Sequence, residues 1–451
     1  MELKINRKKS LKPAQILVLS FGGVILVGTL LLMLPISSKS GEWTSFIDSL
    51  FTATSAVCVT GLVVLDTGTY WSLFGKTTIL MLIQIGGLGF MTMTTAVAIL
   101  LGKKIGLRNR MIMQEALNQF SIAGIIKLTR YVVIATIMIE IVGAVLLAFR
   151  FVPDFGWTTG LYFSIFHSVS AFCNAGFDLM GNFQSLTGYA KDPLVSAVIM
   201  ILIIIGGLGF AVIADLTSGK KVKKWSLHTK LVLTITGILI IVGFFGVFII
   251  EYNNPLTLKE YTFGEKVVAS LFHSITPRTA GFNTLDIAGF TTPTRFLTMI
   301  LMFIGGSPGS TAGGIKTTTF GMMILSVISV FRGRENINFS GRRISKDSIN
   351  KALAVIFISA LFVLVMTFFL LSFERTLPFE AIMFESLSAF GTVGLSMGIT
   401  PMVGSAAKII LAMMMFFGRL GPLTIVIAIS RKASSGKGDL LVYPEGKIIV
   451  G

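Results

Sequence analysis

Long apolar runs dominate the pattern of hydrophobic and polar positions along this chain. Each of eight runs is long enough to cross a hydrocarbon core of roughly 30 Å as a helix. They cover residues 16–34, 77–101, 131–149, 193–214, 231–250, 296–331, 352–371 and 409–429. The first run follows a basic start and has no small-residue cleavage motif after it, which favours a retained helix over a signal peptide. The pattern predicts an all-α polytopic membrane protein with eight transmembrane helices.

A shorter, half-apolar segment recurs four times between these runs. Each copy ends in a cluster of Ser or Thr, small residues and glycine, and the central glycines of the clusters are 115, 105 and 113 residues apart. A Gly-rich block follows each cluster after 24 to 30 residues. Four copies of helix, half-helix, glycine turn and helix are therefore predicted. Their expected bounds are 1–102, 103–219, 220–334 and 335–430, followed by a cytoplasmic tail at 431–451.

The intermediate segments hold about ten apolar residues, too few to cross the membrane as a helix. We expect them to enter the membrane and return, which is tolerated where the backbone is buried in protein or lines a water-filled cavity. Glycine permits positive φ and lets successive carbonyls face a common axis. The expected result is an oxygen-lined cation filter. Its candidate residues are Val59, Thr60, Gly61, Asn174, Ala175, Gly176, Thr279, Ala280, Gly281, Thr392, Val393 and Gly394. Close helix packing is the alternative role of small residues, and it is favoured for the Gly-rich blocks, such as the one at 86–90.

The run at 296–331 is too long for a single span. Its centre is rich in glycine and small polar residues, which disfavour a regular helix. The sequence predicts a helix, an intramembrane loop and a second helix, with the loop below the filter, where it can plug the conduction path; a bend that merely packs is the alternative. The candidate gate residues are Gly305, Gly306, Ser307, Pro308, Gly309, Ser310, Thr311, Ala312, Gly313, Gly314, Lys316 and Arg419.

Three ionisable residues fall inside the predicted spans: Glu140, Lys316 and Arg419. A charge at membrane depth is costly and faces the bundle interior or water. Arg419 replaces the second glycine of its Gly-rich block, which predicts hydrogen bonds to loop carbonyls; a structural ion pair is the alternative. Lys316 fits either role, and Glu140 is expected to be a packed or helix-bonded carboxylate. His167 and His273 are expected to be hydrogen-bonded core histidines rather than ligands.

Basic residues alternate from loop to loop. The segments at 1–12, 103–130, 215–230, 332–351 and 431–451 hold 26 Lys and Arg against 7 Asp and Glu, whereas the opposite loops hold 10 and 13. The positive-inside rule then predicts that both termini are cytoplasmic. The net charge of +17 therefore reflects topology, which argues against a nucleic-acid partner and offers a basic underside to anionic lipid.

Composition and motifs exclude several other classes. Only 13% of residues are charged, against about 25% in soluble domains, and two cysteines do not make a disulfide framework. The stretch GSTAGGIKT at 309–317 misses the phosphate-binding loop pattern by one residue and has no preceding strand. A nucleotide-driven enzyme is therefore not expected. A scaffold whose glycines only pack does not account for four equivalent half-spans.

Several motifs are shared with a known family. They are TPRTAGFN at 276–283, SAFGTVGL at 388–395, QEALNQ at 114–119, LMLPIS at 32–37 and YPEGK at 443–447. In these motifs the chain resembles the membrane subunit of Ktr-type potassium uptake systems, within the superfamily of Trk, Ktr and plant HKT transporters. The likeness runs from about residue 14 to the C-terminal segment.

The resemblance implies K⁺ uptake, often Na⁺-stimulated, through a fourfold pseudosymmetric pore in each protomer of a homodimer in the plasma membrane. It implies no cofactor in this chain and a cytosolic ring of RCK-type regulatory subunits that respond to ATP and ADP. Within the family, glycine in the first filter segment accompanies K⁺ permeation, so Gly61 and its three counterparts imply K⁺ at the filter glycines. The loop and Arg419 match the family's proposed gate. Only 392–394 keeps the T-V-G of potassium channels, and a less selective Na⁺/K⁺ transporter of the same superfamily is the alternative.

Overall fold

The computed structural model describes residues 12–89, 92–95, 98, 106–116, 124–219, 221–334 and 336–429. The expected cytoplasmic tail at 431–451, the basic start at 1–11 and part of the segment at 103–130 lie outside the described residues.

The described part of the chain is built almost entirely of α-helices. The first half contains α1 (Pro13–Met33), α2 (Phe46–Val57), α3 (Leu73–Leu88), α4 (Leu107–Ala116), α5 (Ile125–Phe155), α6 (Trp157–Phe172), α7 (Pro193–Leu208) and α8 (Phe210–Leu216). The second half contains α9 (Leu227–Glu251), α10 (Phe263–Ile275), α11 (Thr292–Phe303), α12 (Thr317–Phe331), α13 (Lys346–Phe373), α14 (Phe379–Gly391), α15 (Ser405–Leu420) and α16 (Pro422–Ile429). A small antiparallel hairpin, β1 (Asn338–Phe339) and β2 (Arg342–Arg343), pairs Asn338 with Arg343.

The same order of helices occurs four times along the chain. A long helix of 21 to 31 residues (α1, α5, α9, α13) is followed by a half-helix of 12 to 16 residues (α2, α6, α10, α14). An irregular segment containing one of the predicted filter glycines comes next, and then a further helix of 12 to 16 residues (α3, α7, α11, α15). We call these four sets units one to four.

The prediction of eight transmembrane helices is matched only in part among the described residues. Among the described residues, only the four long helices are individually long and apolar enough to cross a membrane, and α7 and α8 form a fifth candidate bent by 103°. The helices that follow the filter segments end at Gly89, Gly209 and Gly421, with φ of 82°, 94° and 81°. A left-handed residue ends an α-helix while hydropathy continues through it, so the apolar pattern could not show the break. The run at 296–331 divides into α11, a loop and α12, as predicted.

Polar side chains at helix starts satisfy free backbone N–H groups. The hydroxyl of Ser72 accepts from Gly75 N at 3.2 Å, and Asp192 Oδ1 accepts from Leu194 N at 2.9 Å. Each cap lies directly before an apolar helix. Such caps stabilise a helix by about 0.5–2 kcal/mol and fix where α3 and α7 begin.

The half-helices lie at the centre of the molecule. Each carries a phenylalanine that is at most 1% exposed: Phe51, Phe166, Phe272 and Phe384. The long helices lie outside, since only 22–33% of their most apolar stretch is buried. Their outer faces carry exposed residues such as Ile141 and Leu364, which suit contact with lipid.

Two ion pairs join neighbouring units. Lys408 Nζ on α15 lies 2.7 Å from Asp48 Oδ1 on α2, which connects unit four to unit one. Arg295 Nε on α11 lies 3.1 Å from Glu380 Oε1 on α14, which connects units three and four. The contact between the last and first units closes the arrangement around a common centre.

Candidate functional site

The four predicted filter segments share one unusual backbone conformation. Gly61, Gly176, Gly281 and Gly394 have φ of 91°, 69°, 78° and 91°. The residue two positions earlier is also left-handed in each segment: Val59, Asn174, Thr279 and Thr392 have φ of 51°, 56°, 73° and 51°. Positive φ is uncommon outside glycine, and for β-branched residues it is a marked exception. Such strain persists where the surroundings impose it, commonly at functional sites.

The four segments meet in a closed ring. A Cβ added at Gly61 would lie 2.5 Å from the carbonyl oxygen of Ala175, and one at Gly176 would lie 2.8 Å from that of Ala280. The same approach brings Val393 O to Gly281 at 2.5 Å and Thr60 O to Gly394. Each glycine therefore faces the carbonyl that precedes the glycine of the next unit, and the fourth faces the first. A side chain at any of the four positions would collide with a neighbouring backbone.

Backbone hydrogen bonds tie each segment to the end of its own half-helix. Thr60 N donates to Ser55 O and Val393 N to Ser388 O, both at 2.8 Å. Ala175 N donates to Ser170 O at 2.8 Å, and Ala280 N donates to Thr276 O at 3.0 Å. These bonds involve the N–H groups of the four residues and not their carbonyl oxygens.

Hydroxyl side chains reinforce the same turns. Ser55 Oγ accepts from Gly61 N and Ser388 Oγ accepts from Gly394 N, both at 3.1 Å. In unit two the direction is reversed, because Ser170 Oγ donates to Phe177 O at 2.7 Å. Thr276 Oγ1 donates to Phe282 O in unit three. These four side chains were not among the predicted site residues, although a Ser or Thr before each cluster was a visible signal.

The ring is not fourfold in its side chains. Asn174 forms a hydrogen bond of 3.3 Å to the hydroxyl of Thr279, which links the second segment to the third. The hydroxyls of Thr60 and Thr392 are buried and have no hydrogen-bond partner among the described residues. The segments therefore share a backbone design and differ in how adjacent units are joined.

The predicted intramembrane loop is anchored at both ends. Gly305 N donates to Ile315 O at 2.8 Å, and Thr317 N donates to Gly306 O at 3.0 Å. The hydroxyls of Ser307 and Thr317 lie 2.9 Å apart. The loop from Gly305 to Gly314 is thus pinched at its base, between the end of α11 and the start of α12.

The body of the loop lies against the other units, where the half-helices end. Ser307 N donates to Gly207 O and Phe210 N donates to Gly309 O, both at 2.9 Å. Thr311 Oγ1 donates to Phe172 O at the end of α6 at 3.2 Å. A Cβ at Gly313 would overlap the side chain of Thr392. The loop therefore touches units two and four directly beside the filter segments.

Arg419 and Lys316 bind consecutive carbonyls of this loop. The Arg419 guanidinium donates to Thr311 O, to Gly86 O and, at 3.2 Å, to Gly87 O. Lys316 Nζ donates to Ala312 O at 2.7 Å. Among the described residues, neither cation has a carboxylate within ion-pair distance. In the described part of the chain, Arg419 and Lys316 thus form hydrogen bonds to backbone carbonyls and no structural ion pair.

Other residues singled out by sequence have clear surroundings. Glu140 binds side chains rather than its own helix: Gln84 Nε2 donates to Glu140 Oε2 at 3.1 Å. His167 contacts Phe163 O through Nδ1 at 2.7 Å, and His273 Nε2 lies 3.0 Å from the hydroxyl of Thr298. Both histidines are hydrogen-bonded in the core, as expected. Gln84 was not singled out, since nothing in its local sequence marks it.

The Gly-rich blocks have two roles. Gly86, Gly206 and Gly418 pack against the carbonyls of Val57, Phe172 and Phe390 at the ends of half-helices, so close that no side chain fits. This is the predicted packing role. The last glycine of these three blocks (Gly89, Gly209 and Gly421) adds the helix break described above, which the packing interpretation did not include.

Comparison with known proteins gives consistent matches over nearly the whole chain. Ktr system potassium uptake protein B of Bacillus subtilis (strain 168) is 46% identical over 439 residues, which cover 97% of this chain and 97% of that protein. Potassium/sodium uptake protein NtpJ of Enterococcus hirae is 43% identical over 453 residues, with coverage of 100% and 99%.

The fold also has a solved counterpart. The crystal structure of the potassium transporter TrkH from Vibrio parahaemolyticus superimposes with a TM-score of 0.70 at 21% identity, covering 94% of this chain and 86% of that one. At this identity the match supports the fold alone. The family described as TrkH, cation transport protein, matches residues 4–438. This chain therefore belongs to the TrkH family of cation transport proteins.

Proposed function

We propose that this protein takes up K⁺ through a pore whose selectivity filter is the ring of four glycine segments. The observation that carries the proposal is the closed contact of Gly61, Gly176, Gly281 and Gly394 with one another's neighbouring carbonyls. Irregular backbone in the interior of a membrane protein is tolerated where it is buried in protein or lines a path for water or ions. Four such segments meet here. The relatives in Bacillus subtilis and Enterococcus hirae, which are named as potassium and potassium/sodium uptake proteins, support the same ion.

The proposed ligands of K⁺ are backbone carbonyls. The N–H groups of Thr60, Ala175, Ala280 and Val393 are bonded to their own half-helices, and we propose that their carbonyl oxygens replace water around the ion. Each half-helix ends at its filter segment and presents the negative end of its dipole there. An uncharged ring of oxygens suits a monovalent cation, because ions must leave as readily as they enter.

The loop from Gly305 to Gly314 is the proposed gate. It lies beside the filter segments and is held by Arg419 and Lys316, whose charges have no carboxylate partner among the described residues. A permeating cation would meet this positive charge next. Opening would then require the loop to release its contacts with Gly207 and Phe210.

We further propose a finer architecture of eight membrane-crossing segments and four re-entrant half-helices, with repeat bounds at 1–102, 103–219, 220–334 and 335–430. The protein would lie in the plasma membrane with both termini on the cytoplasmic side, as the excess of Lys and Arg in alternate loops predicts. A homodimer and a cytosolic RCK-type ring that binds ATP or ADP complete the proposal. The support for the ring is that the Bacillus subtilis relative is named as part of a Ktr system.

A less selective Na⁺/K⁺ transporter is the second candidate function. It is favoured by one observation: only 392–394 keeps the T-V-G sequence. The relative NtpJ, named for both ions, fits this candidate as well.

The test is Gly281→Ser, with growth on limiting K⁺ and rubidium-tracer uptake in a strain that lacks its own K⁺ uptake. The added side chain meets Val393 O, so we expect weaker K⁺ uptake and poorer discrimination against Na⁺. Gly264→Ser is the matched control, since a Cβ at Gly264 in the same unit has open space around it. Unchanged K⁺ affinity and Na⁺ discrimination in Gly281→Ser would show that the ring is not the filter.

A further inference from the structure

Glu140 is a buried carboxylate that neither the proposed filter nor the proposed gate uses. It lies on α5, is 8% exposed, and faces the end of half-helix α6. Its Oε2 accepts from Gln84 Nε2 on α3 at 3.1 Å, and its Oε1 lies 3.9 Å from the thiol sulfur of Cys173. The same sulfur lies 3.6 Å from Gln84 Oε1. Three side chains from two units thus form one polar cluster.

This cluster holds the residue directly before the second filter segment. Cys173 directly precedes Asn174, Ala175 and Gly176 in the chain. It has no room to move towards α3, because a Cβ at Gly87 would lie 2.5 Å from its sulfur. A displacement of Cys173 would therefore pass along the chain to the carbonyl of Ala175, which lies against Gly61 in the ring.

The corresponding place in unit three has no such cluster. The backbone carbonyl of Glu140 accepts from Ser168 Oγ at 2.7 Å, and the carbonyl of Ile240 accepts from Ser274 Oγ at 2.6 Å in the same way. Glu140 therefore stands where unit three has isoleucine. An ionisable residue at membrane depth is costly. Here it stands in place of an aliphatic side chain, which needs no hydrogen-bond partner to pack.

We infer that Glu140 is a positioning residue, which fixes the second filter segment through Cys173 and Gln84 and thereby sets how well the ring distinguishes K⁺ from Na⁺. The inference rests on the proposed filter. It differs from a general stabilising role in that the discrimination between ions changes, and not only the amount of active protein.

The test measures rubidium-tracer uptake, with competition by K⁺ or by Na⁺, in liposomes containing the full-length protein. Glu140→Ala should lower the preference for K⁺ over Na⁺ by about tenfold, the effect of one lost interaction of about 1.4 kcal/mol. Glu140→Gln keeps a carbonyl oxygen for Gln84 and should stay within about twofold of the parent. Ile240→Ala is the matched control: it empties the equivalent place in unit three and should leave the preference unchanged.

A second variant covers the case in which Glu140→Ala does not fold. Cys173→Ala removes the thiol and leaves the bond between Glu140 and Gln84 in place. It should lower the K⁺ preference as Glu140→Ala does. Combining Glu140→Ala with Cys173→Ala should lower the K⁺ preference no further than either change alone, because both changes break the same connection.

Other outcomes would overturn the inference. An unchanged preference in Glu140→Ala and Cys173→Ala, with a lowered one in Gly281→Ser, would leave the filter standing and remove the positioning role. An equal loss in Ile240→Ala would reduce Glu140 to ordinary packing, and an equal loss in Glu140→Gln would contradict the hydrogen-bond account. An unchanged preference in all variants, Gly281→Ser included, would overturn the proposed filter itself.

Discussion

The carbonyl oxygen of Val393 lies 2.5 Å from the place that a Cβ on Gly281 would occupy. This contact joins two units that are more than one hundred residues apart in the chain, and its counterparts close a ring through Gly61, Gly176 and Gly394. The ring explains why glycine recurs at these positions. Both the left-handed φ and the neighbouring carbonyl exclude a side chain.

Gly281→Ala should therefore destabilise the protein. Alanine in a left-handed conformation costs roughly 1–2 kcal/mol, and the overlap with Val393 O adds to this. Gly237→Ala on α9 is the control, because a Cβ there has open space and alanine favours a helix by up to about 1 kcal/mol. Thermal unfolding of the purified protein should show a lower Tm for Gly281→Ala alone; equal Tm values for the two variants would contradict the close approach.

The hydroxyl of Ser388 should matter more than that of Ser386, although the two lie on the same half-helix. Ser388 Oγ accepts from Gly394 N at 3.1 Å, whereas Ser386 Oγ only donates to Ile382 O within α14. Ser388→Ala leaves the half-buried N–H of Gly394 without this partner, at a cost of about 1 kcal/mol. Ser386→Ala should cost less, because it removes only a local bond to Ile382 O and leaves no donor unpaired. The free energy of unfolding of each variant is the measurement. Similar values for Ser388→Ala and Ser386→Ala would argue that the Ser388 hydroxyl does not support the filter segment.

Loss of Arg419 should open the gate. Arg419→Ala removes the donor to Thr311 O, Gly86 O and Gly87 O, so we expect several-fold higher K⁺ flux in liposomes without a regulatory partner. Shortening the loop within 307–313 should act in the same direction. Arg375→Ala, a change of an exposed arginine beyond α13, is the control. Flux that stays at the parent level in both gate variants would rule out the loop as the barrier.

K⁺ uptake should depend on external pH through Asp178. This residue lies in the loop after α6, outside the spanning helices, where its Oδ1 accepts from Met180 N at 3.0 Å. Burial, with a further contribution from the charge of Asp66, raises the pKa of Asp178 to about 7. Below that pH the carboxyl is neutral, and above it a negative charge two residues from Gly176 attracts cations.

The half-saturating K⁺ concentration should accordingly be lower at pH 8 than at pH 6, by roughly two- to tenfold for one nearby charge. Asp178→Asn should remove the difference. Asp286→Asn is the control, because Asp286 forms the same kind of turn with Ala288 N at 3.0 Å in the loop of unit three but is exposed. A pH dependence that persists in Asp178→Asn would assign it to another group.

The recurrence of Gly61, Gly176, Gly281 and Gly394 was visible in the sequence because each repeat carries its own copy of the motif. The loop at 305–314 was visible too, since glycine and small polar residues interrupt a long apolar run. The breaks at Gly89, Gly209 and Gly421 could not be predicted: hydropathy is the same on both sides of a left-handed residue. The cluster of Gln84, Glu140 and Cys173 was equally hidden, since its members come from distant parts of the chain.

The most direct test of the central claim compares K⁺ and Na⁺ entry into liposomes that contain the purified protein, under equal gradients of the two ions. If the carbonyls of the glycine ring form the filter, K⁺ enters faster than Na⁺ in the parent, and Gly281→Ser narrows that difference while Gly264→Ser does not. Equal entry of the two ions in the parent, or the same preference in Gly281→Ser as in the parent, would contradict the account.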